Sequence, residues 1–305
     1  MTLALLFPGQ GSQYIGMAGA LADKQSAAAE VLARADETLG FSLSGLMQDG
    51  PEDALTVTKN AQPALLTHSV AALRVLGDRA GTPAFAAGHS LGEFSAHVAA
   101  GTLSFEDALR AVRLRGELMF EAGQARPGSM AAFLGLTDDD VRKVCARVTA
   151  GICVPANFNS PGQVVVSGDI SGVEEAMSLA KEAGAKRSVQ LKVSGAFHSP
   201  LMEPAASGLR AFLEGIEFAD PKIPVVSNAA ARPVTTGTEA RELLVRQLTS
   251  PVRWAESIAL MTKAGADRFL ELGAGKVLST LNRRNALGAS SIPLGEPDDF
   301  NALEG

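Results

Sequence analysis

The stretch AFAAGHSLGEFSAHVA, residues 84–99, changes character at its centre. Its first four residues are apolar and suit a buried strand, whereas residues 91–99 have the pattern of a helix that stops before Gly101. Between them lies Gly-His-Ser-Leu-Gly, a G-x-S-x-G pattern whose small residues permit a tight strand-to-helix turn. The pattern predicts Ser90 at the apex of the turn with its hydroxyl exposed, and the Leu91 N–H at a helix start, where it can face an oxyanion. In the alternative interpretation, Ser90 is an ordinary helix N-cap.

Outward from this turn, short apolar runs alternate with helix-length amphipathic segments, which is typical of an α/β fold. In the two flanking parts of the chain we predict strands at 3–7, 84–87, 225–227 and 268–272, and helices at 16–39, 60–77, 91–99 and 239–248. The tail after Gly295 is acidic and contains Gly and Pro, so we expect it to be poorly ordered.

The middle of the chain has a different order of elements. The pattern predicts, in turn, a strand, a helix, two strands joined by the turn Asn-Ser-Pro-Gly, a helix and a strand: 129–136, 138–148, 154–158, 163–167, 171–183 and 188–193. This βαββαβ order is that of a ferredoxin-like unit. We therefore predict a small subdomain, residues 126–197, inserted into a large domain of residues 1–125 and 198–305.

Composition excludes several classes of protein. Across 305 residues, 27 Lys and Arg stand against 33 Asp and Glu, a net charge of −6, so the basic surface of a nucleic-acid-binding or membrane-surface protein is not expected. No apolar stretch approaches the length that spans a bilayer, and the N-terminus lacks the basic segment of a signal peptide, so we expect a cytoplasmic protein. Cys145 and Cys153 are not spaced as C-x-x-C, and no H-E-x-x-H pattern occurs, so we expect no metal site.

A serine nucleophile needs a base, and His198 is the strongest candidate. It precedes Ser-Pro, a plausible helix start, where the charged imidazolium is disfavoured and the neutral form of a general base is favoured. The side chain of His89 should point away from the apex of the turn, His97 lies two helical turns beyond Ser90, and His68 fits a packed core position. No Asp or Glu is an obvious partner for His198, so the sequence suggests a Ser–His dyad oriented by a carbonyl or an amide. Alternatively, His198 is a loop residue satisfied by backbone.

Arg115 interrupts the apolar face of a predicted helix. Within residues 106–122, apolar residues recur at helical spacing on one face, and charged residues occupy the other. Arg115 lies at the centre of the apolar face, where an unpaired guanidinium is costly, so it needs an anionic partner. Either it forms an internal salt bridge or extends to solvent, or it binds a ligand carboxylate with its planar fork. The Gly-rich loop at residues 7–13 follows a strand and is able to cradle phosphate or complete an oxyanion hole.

Six segments, taken in sequence order, resemble the motifs of malonyl-CoA:acyl carrier protein transacylases. They are FPGQGSQ (7–13), GHSLGE (88–93), NFNSPGQ (157–163), GAFHSPLM (195–202), QLTSPVRW (247–254) and ELGAGKVL (271–278). The resemblance implies an α/β-hydrolase-like large domain with a ferredoxin-like small subdomain inserted into it, and an active site in the cleft between them. It also assigns roles: Ser90 as nucleophile, His198 as base, the Gln10 and Leu91 backbone N–H groups as oxyanion hole, Arg115 as the ligand of the malonyl carboxylate, the Gln247 backbone carbonyl as the group that orients His198, and Phe197 as a residue of the malonyl-selecting form.

The resemblance implies transfer of the malonyl group from malonyl-CoA to the phosphopantetheine thiol of acyl carrier protein, through a malonyl-serine intermediate, in fatty-acid synthesis. Malonyl-CoA is then a substrate, no cofactor is implied, and nothing in the sequence demands more than a monomer. Three alternatives stay open: a serine esterase or thioesterase, a malonyltransferase of a polyketide pathway, and a non-catalytic protein that binds malonyl-CoA. An acidic carrier protein would need a basic patch, for which the candidates, otherwise explained as ordinary solvated surface, are Lys186, Arg187, Lys192, Arg283 and Arg284.

Overall fold

The computed structural model describes residues 2–193 and 195–303. The strands are β1 (Thr2–Phe7), β2 (Phe85–Gly88), β3 (Gly128–Leu134), β4 (Cys153–Ser160), β5 (Gln163–Asp169), β6 (Arg187–Gln190), β7 (Val225–Val226), β8 (Pro233–Val234), β9 (Ala266–Leu272) and β10 (Ser290–Leu294). The α-helices are α1 (Gly19–Lys24), α2 (Ser26–Leu39), α3 (Leu43–Asp49), α4 (Glu52–Thr56), α5 (Thr58–Leu76), α6 (Gly92–Ala99), α7 (Phe105–Ala125), α8 (Asp138–Arg147), α9 (Ile170–Glu182), α10 (Glu203–Leu213), α11 (Gly237–Arg246), α12 (Trp254–Lys263) and α13 (Val277–Asn285). The predicted α/β fold is confirmed.

The larger of two sheets has six strands in the order β10–β9–β1–β2–β7–β8. Neighbouring strands are parallel, except that β8 runs antiparallel to β7. In β1, alternate residues pack on opposite faces, because Leu5 and Phe7 belong to one apolar core and Ala4 and Leu6 to another. This burial on both faces explains the uninterrupted apolar sequence of the strand, since helices cover both sides of a parallel sheet.

The smaller sheet has the order β4–β5–β3–β6 and is antiparallel throughout. Its strands and the helices α8 and α9 follow one another in the predicted order, with bounds within a few residues of those expected. Along β3, Ala131 and Phe133 pack with the two helices, whereas Met130 and Ala132 face the core of the larger part. The second face of this sheet is therefore available to form a wall against the larger sheet.

Main-chain hydrogen bonds connect the two parts of the fold at Val252. The Phe158 N–H donates to the Val252 carbonyl at 2.9 Å, and the Val252 N–H donates to the Ala156 carbonyl at 2.8 Å. These bonds fix the end of β4 against the segment that follows α11. They hold the smaller sheet beside the loop that carries His198.

Two predictions for the flanking parts are wrong. The helix expected at 16–39 is two helices, because the backbone of Gln25 is extended between α1 and α2. The break lets Leu21 and Val31, one from each helix, enter the same core. The tail after Gly295 is also ordered as far as residue 303: Pro297–Leu303 forms a 3₁₀ helix that inserts the buried side chain of Phe300 into that core.

The length and apolarity of the helices in residues 2–193 and 195–303 bear on whether any of them could cross a membrane. None of the helices there combines the length and the apolarity that crossing a bilayer requires.

Candidate active site

Ser90 lies at a strained turn between β2 and α6. Its φ is +53°, in the left-handed region that residues with a side chain rarely adopt. The turn is tight enough to require glycine on both sides, because a Cβ on Gly88 would lie 1.9 Å from the Gly92 carbonyl carbon, and one on Gly92 would lie 2.2 Å from the Phe7 carbonyl oxygen. No side chain caps α6, so the structure does not support the interpretation of Ser90 as an ordinary N-cap.

His198 faces Ser90 from the loop that enters the 3₁₀ turn before α10. The Ser90 Oγ and the His198 Nε2 are 2.8 Å apart, and the His198 Nδ1 lies 2.9 Å from the Gln247 carbonyl oxygen. Because that carbonyl only accepts, Nδ1 donates to it, and Nε2 is the unprotonated nitrogen that faces the serine hydroxyl. The structure brings Ser90 and His198 together with Gln247, the residue that the family resemblance implied as the partner of His198.

The neutrality of His198 has a different cause from the one expected. Burial lowers its pKa to about 3, and the positive charge of Arg115 adds to the effect. The helix start after it is a single 3₁₀ turn, Pro200–Met202, capped by the Ser199 hydroxyl. Desolvation, rather than a helix dipole, keeps the imidazole neutral.

Arg115 of α7 is buried, with 1% of its surface exposed, and its guanidinium reaches the Ser90 hydroxyl. Its Nη1 donates to the Gln62 Oε1 at 2.6 Å, and its Nη2 donates to the Gln247 Oε1 at 2.9 Å and to the Ser90 Oγ at 3.2 Å. None of the salt bridges in the described part of the chain involves Arg115, and its Nε has no partner there. Burial lowers its pKa to about 10, still well above neutral pH. The guanidinium is thus a buried cation with donors left for a ligand carboxylate.

A cavity of about 460 Å³ opens over these groups, between the two sheets. Its lining includes the remaining predicted site residues, namely Gln10, Leu91 and Phe197. The Gln10 side chain is fixed by a hydrogen bond from the Thr58 hydroxyl at 2.9 Å, which holds the Gly-rich loop in place. Met130 and Ala132 of β3 form part of the opposite wall, so both sheets contribute to the cavity.

The other three histidines are not close partners of the nucleophile. His68 is buried and its Nε2 lies 2.9 Å from the Gly295 carbonyl oxygen, which fits the packed core position expected. The His89 Nε2 lies 2.9 Å from the Asn159 Oδ1, and the hydrogen-bond partners of the Ser90 hydroxyl among the described residues are His198 and Arg115 instead. His97 is buried in α6 and makes no side-chain hydrogen bond within the described residues.

Sequence reasoning missed three polar residues that hold the site together. Asn228 accepts the Ser90 N–H on its Oδ1 at 2.7 Å and donates from its Nδ2 to the Gly88 carbonyl at 2.7 Å, so it clamps both sides of the turn. Glu93 is buried beside it, and Gln62 accepts from Arg115. The available signals were weak: Asn228 follows a short apolar strand, and Glu93 is a carboxylate within a largely apolar helix segment.

Comparison with known proteins agrees with this geometry. The model of the acyl transferase domain family matches residues 4–288, and the chain belongs to this family of acyl-transferring proteins. Within it, the chain belongs with the malonyl CoA-acyl carrier protein transacylases. The transacylase of Bacillus subtilis (strain 168) is 48% identical over 298 residues, which cover 97% of this chain and 94% of that protein. The resemblance inferred from the six sequence segments is confirmed.

Solved structures give the same family. An acyl carrier protein S-malonyltransferase from Vibrio cholerae superposes with a TM-score of 0.96 at 43% identity, covering 99% of this chain and all of that one. A malonyl-transacylase in complex with its type II polyketide acyl-carrier protein has the same TM-score and identity, covering 100% of this chain and 99% of that one.

Proposed function

We propose that this chain transfers a malonyl group from malonyl-CoA to the phosphopantetheine thiol of an acyl carrier protein. The single observation that carries the proposal is the convergence of Ser90, His198 and the buried Arg115 on one cavity. The first two residues provide acyl transfer, and the third provides selection of an acyl group that bears a carboxylate.

The first half of the reaction loads the serine. As the Ser90 Oγ attacks the thioester carbonyl carbon, the His198 Nε2 takes the hydroxyl proton, and the Gln247 carbonyl stabilises the imidazolium that forms. The negative carbonyl oxygen is held by the Gln10 and Leu91 backbone N–H groups, each worth about 3 kcal/mol in comparable sites. The carbon–sulfur bond then breaks, and the CoA thiolate leaves with the proton from His198. A malonyl ester on Ser90 remains.

The second half unloads it onto the carrier. The phosphopantetheine thiol gives its proton to His198 and attacks the ester carbonyl carbon, the bond to the Ser90 Oγ breaks, and the serine recovers its proton from the imidazolium. Nucleophile, base and oxyanion donors all come from the chain, so the reaction as written needs no metal or organic cofactor.

The serine thioesterase alternative differs in its acceptor. Arg115 favours transfer, because a guanidinium that fixes the malonyl carboxylate holds the ester in one position and leaves a water molecule poorly placed for attack. Phe197, at the wall of the cavity, would restrict substituents on the carbon between the two carbonyl groups. Whether the product serves fatty-acid or polyketide synthesis is decided by the carrier; we propose the fatty-acid pathway.

We also propose a division of the fold into a small subdomain and a large domain. The order β4–β5–β3–β6, with two helices on one face, supports a ferredoxin-like subdomain at residues 126–197, inserted into an α/β-hydrolase-like domain of residues 1–125 and 198–305. Lys192 of the candidate basic patch lines the cavity, where the phosphate-bearing arm of either substrate would pass. We propose a cytoplasmic monomer that meets both substrates in solution.

Intact-protein mass after brief incubation with malonyl-CoA tests the proposed function. We expect one malonyl increment, mapped to Ser90 by peptide sequencing, and none in the Ser90→Ala variant, with the fold unchanged. An adduct that persists in Ser90→Ala would place the nucleophile elsewhere. Release of CoA without any adduct in the wild type would favour the thioesterase.

A further inference from the structure

Glu93 is a buried carboxylate that the transfer reaction described above does not use. It lies in the first turn of α6, three residues after the nucleophile, and none of its surface is exposed. Its Oε2 accepts from the Gln247 Nε2 at 2.6 Å and from the Asn228 N–H at 3.1 Å. Burial raises its pKa to about 7, against the opposing effect of these hydrogen bonds and of Arg115. Burying a carboxylate is costly, so its contacts should show what it does.

The side-chain amide of Gln247 lies between Glu93 and Arg115. Its Nε2 donates to the carboxylate and, at 2.9 Å, to the Ser90 carbonyl, while its Oε1 accepts from the Arg115 Nη2 at 2.9 Å. Turning the amide over would set its NH₂ group against the guanidinium, donor against donor, and its oxygen against the carboxylate. The carboxylate therefore selects the orientation in which the amide oxygen faces Arg115.

This arrangement leaves the guanidinium open. Arg115 contacts three neutral acceptors, and the negative charge of Glu93 favours its charged form across the intervening amide. A carboxylate bonded directly to Arg115 would occupy the donors that a substrate carboxylate needs. An amide between the two charges keeps the cation at the wall of the cavity and leaves it without a carboxylate partner among the described residues.

We propose that Glu93 is a positioning residue for the acyl donor: it holds the Gln247 amide with its oxygen toward Arg115, and so keeps the guanidinium directed at the malonyl carboxylate. The inference rests on the proposed function, because only an acyl group with a carboxylate uses that guanidinium. Attack on the thioester stays with the side chains of Ser90 and His198, to which the Glu93 carboxylate makes no hydrogen bond: its partners are the Asn228 N–H and the Gln247 Nε2.

Substitution of Glu93 tests the inference through the choice of acyl donor. Glu93→Leu should lower the malonyl-to-acetyl ratio of kcat/KM by at least about tenfold, mainly through a higher KM for malonyl-CoA. Glu93→Gln keeps an acceptor oxygen and should stay within about threefold of the wild-type ratio. Equal losses with both donors would make Glu93 a merely structural residue and overturn the proposal. So would a Glu93→Gln variant as unselective as Glu93→Leu.

Glu271 provides a matched control. It is the other buried carboxylate of the described chain, and it accepts the Leu278 and Ser279 N–H groups at 2.9 and 2.7 Å, away from Arg115. Glu271→Leu should lower the melting temperature and leave the malonyl-to-acetyl ratio unchanged. A ratio that falls as far as in Glu93→Leu would show that the loss of any buried carboxylate is enough, against the proposal.

Gln247→Leu keeps the inference testable if Glu93→Leu does not fold. It removes the amide but retains the backbone carbonyl that orients His198, so the malonyl-to-acetyl ratio must fall in this variant too. In the double variant no further fall is expected, since both substitutions break one chain of contacts. An unchanged ratio in Gln247→Leu, or two losses that multiply, would overturn the proposal.

The wild type separates this inference from the function on which it rests. Absence of a malonyl adduct on Ser90 in the wild type contradicts the proposed function itself. Its presence, together with an unchanged ratio in Glu93→Leu, contradicts only the role of Glu93.

Discussion

At the scale of single residues, the site depends on ionisable side chains that are buried. Arg115 is buried among neutral acceptors, an arrangement that costs stability unless a ligand uses it. His198 is buried beside it. Burial and the positive charge of Arg115 both disfavour the imidazolium, so the His198 side chain stays neutral. The guanidinium that we propose selects the acyl donor and the neutral imidazole that we propose as base therefore have one physical origin, which is the burial of both side chains.

Arg115→Ala should reduce malonyl transfer far more than acetyl transfer. We expect kcat/KM for malonyl-CoA to fall about a hundredfold or more, because a desolvated charge pair is lost, and the acetyl value to fall by less than about tenfold. The matched control is Arg113→Ala on the same helix, since Arg113 pairs with Glu117 instead of facing the pocket. Steady-state kinetics with both donors measure the effect, and equal losses would exclude a role in carboxylate binding.

The pH dependence of acylation should lack the usual histidine step. Since the pKa of His198 lies near 3 in the folded chain, the imidazole remains an effective base well below its ordinary value of 6.5. Acetyl-CoA is the donor to use, because it has no carboxylate for Arg115 to bind. The rate of serine acylation should stay level through pH 6.5; a fall centred there would contradict the assignment.

The same lowered pKa of His198 reduces the stability of the folded chain at acidic pH. Between about pH 6.5 and 3, the unfolded chain binds a proton at His198 that the folded chain does not. The free energy of unfolding therefore decreases as the pH falls through this window, and is unaffected by this residue above it. Acylation rates should be compared only where circular dichroism shows the fold intact.

The sequence identified some residues of the site and not others. A local pattern made Ser90 a candidate, and one charge on an apolar helical face made Arg115 a candidate, because both signals lie within one element. Their roles were implied only by the family resemblance. Glu93 and Asn228 were not, because their importance comes from contacts with residues far away in the chain. The role of a buried polar group becomes clear only when its hydrogen-bond partners are known.

At the scale of elements, the turn between β2 and α6 is packed directly against β1. The His89 N–H donates to the Phe7 carbonyl at 3.0 Å, and Gly92 touches that same carbonyl. The strand and the helix can approach this closely because no side chain intervenes. Ser90 is consequently held by the central strand of the sheet and not by a free loop.

Gly92→Ala should therefore destabilise the protein and displace the nucleophile. A Cβ there would meet backbone, 2.2 Å from the Phe7 oxygen, so we expect a loss of about 3 kcal/mol in the free energy of unfolding and reduced acylation with every donor. Gly215→Ala is the control, since its Cβ would meet nothing closer than 3.6 Å. Urea unfolding of both variants decides the matter, and similar midpoints would refute the close contact.

Element boundaries followed the sequence where one pattern decided them. The alternation within β3 and the turn between β4 and β5 were sufficient to predict the smaller sheet. The division between α1 and α2 was not predictable, because Gln25 is no helix breaker and only the need to bury both helices requires an extended residue there.

At the scale of the whole molecule, the C-terminal segment closes one side of the core. Phe300 is 4% exposed, its ring lies 5.2 Å from the Arg79 guanidinium, and Glu296 accepts a hydrogen bond from the Tyr14 hydroxyl. Composition alone suggested a loose tail, since the anchoring partners come from the opposite end of the chain and from the segment that follows α5. The segment is part of the fold.

Phe300→Ala should cost about 3 kcal/mol of unfolding free energy, the usual penalty for deleting a buried aromatic ring. Leu287→Ala should change it by less than about 0.5 kcal/mol, because Leu287 is 83% exposed. Chemical denaturation of the two variants is the measurement. Indistinguishable stabilities would mean that the tail contributes nothing to the core.

The strand order has a consequence for folding during synthesis on the ribosome. The central strand β1 is made first, but one of its two neighbours, β9, is made near the end, with Thr2 beside Ala266. The smaller sheet and its helices are contiguous in the chain, so they can fold while the rest is still being synthesised. The larger sheet must wait, since pairing across such a separation carries a heavy cost in chain entropy. The nascent chain should therefore remain inactive and prone to aggregation until its last third has emerged from the ribosome.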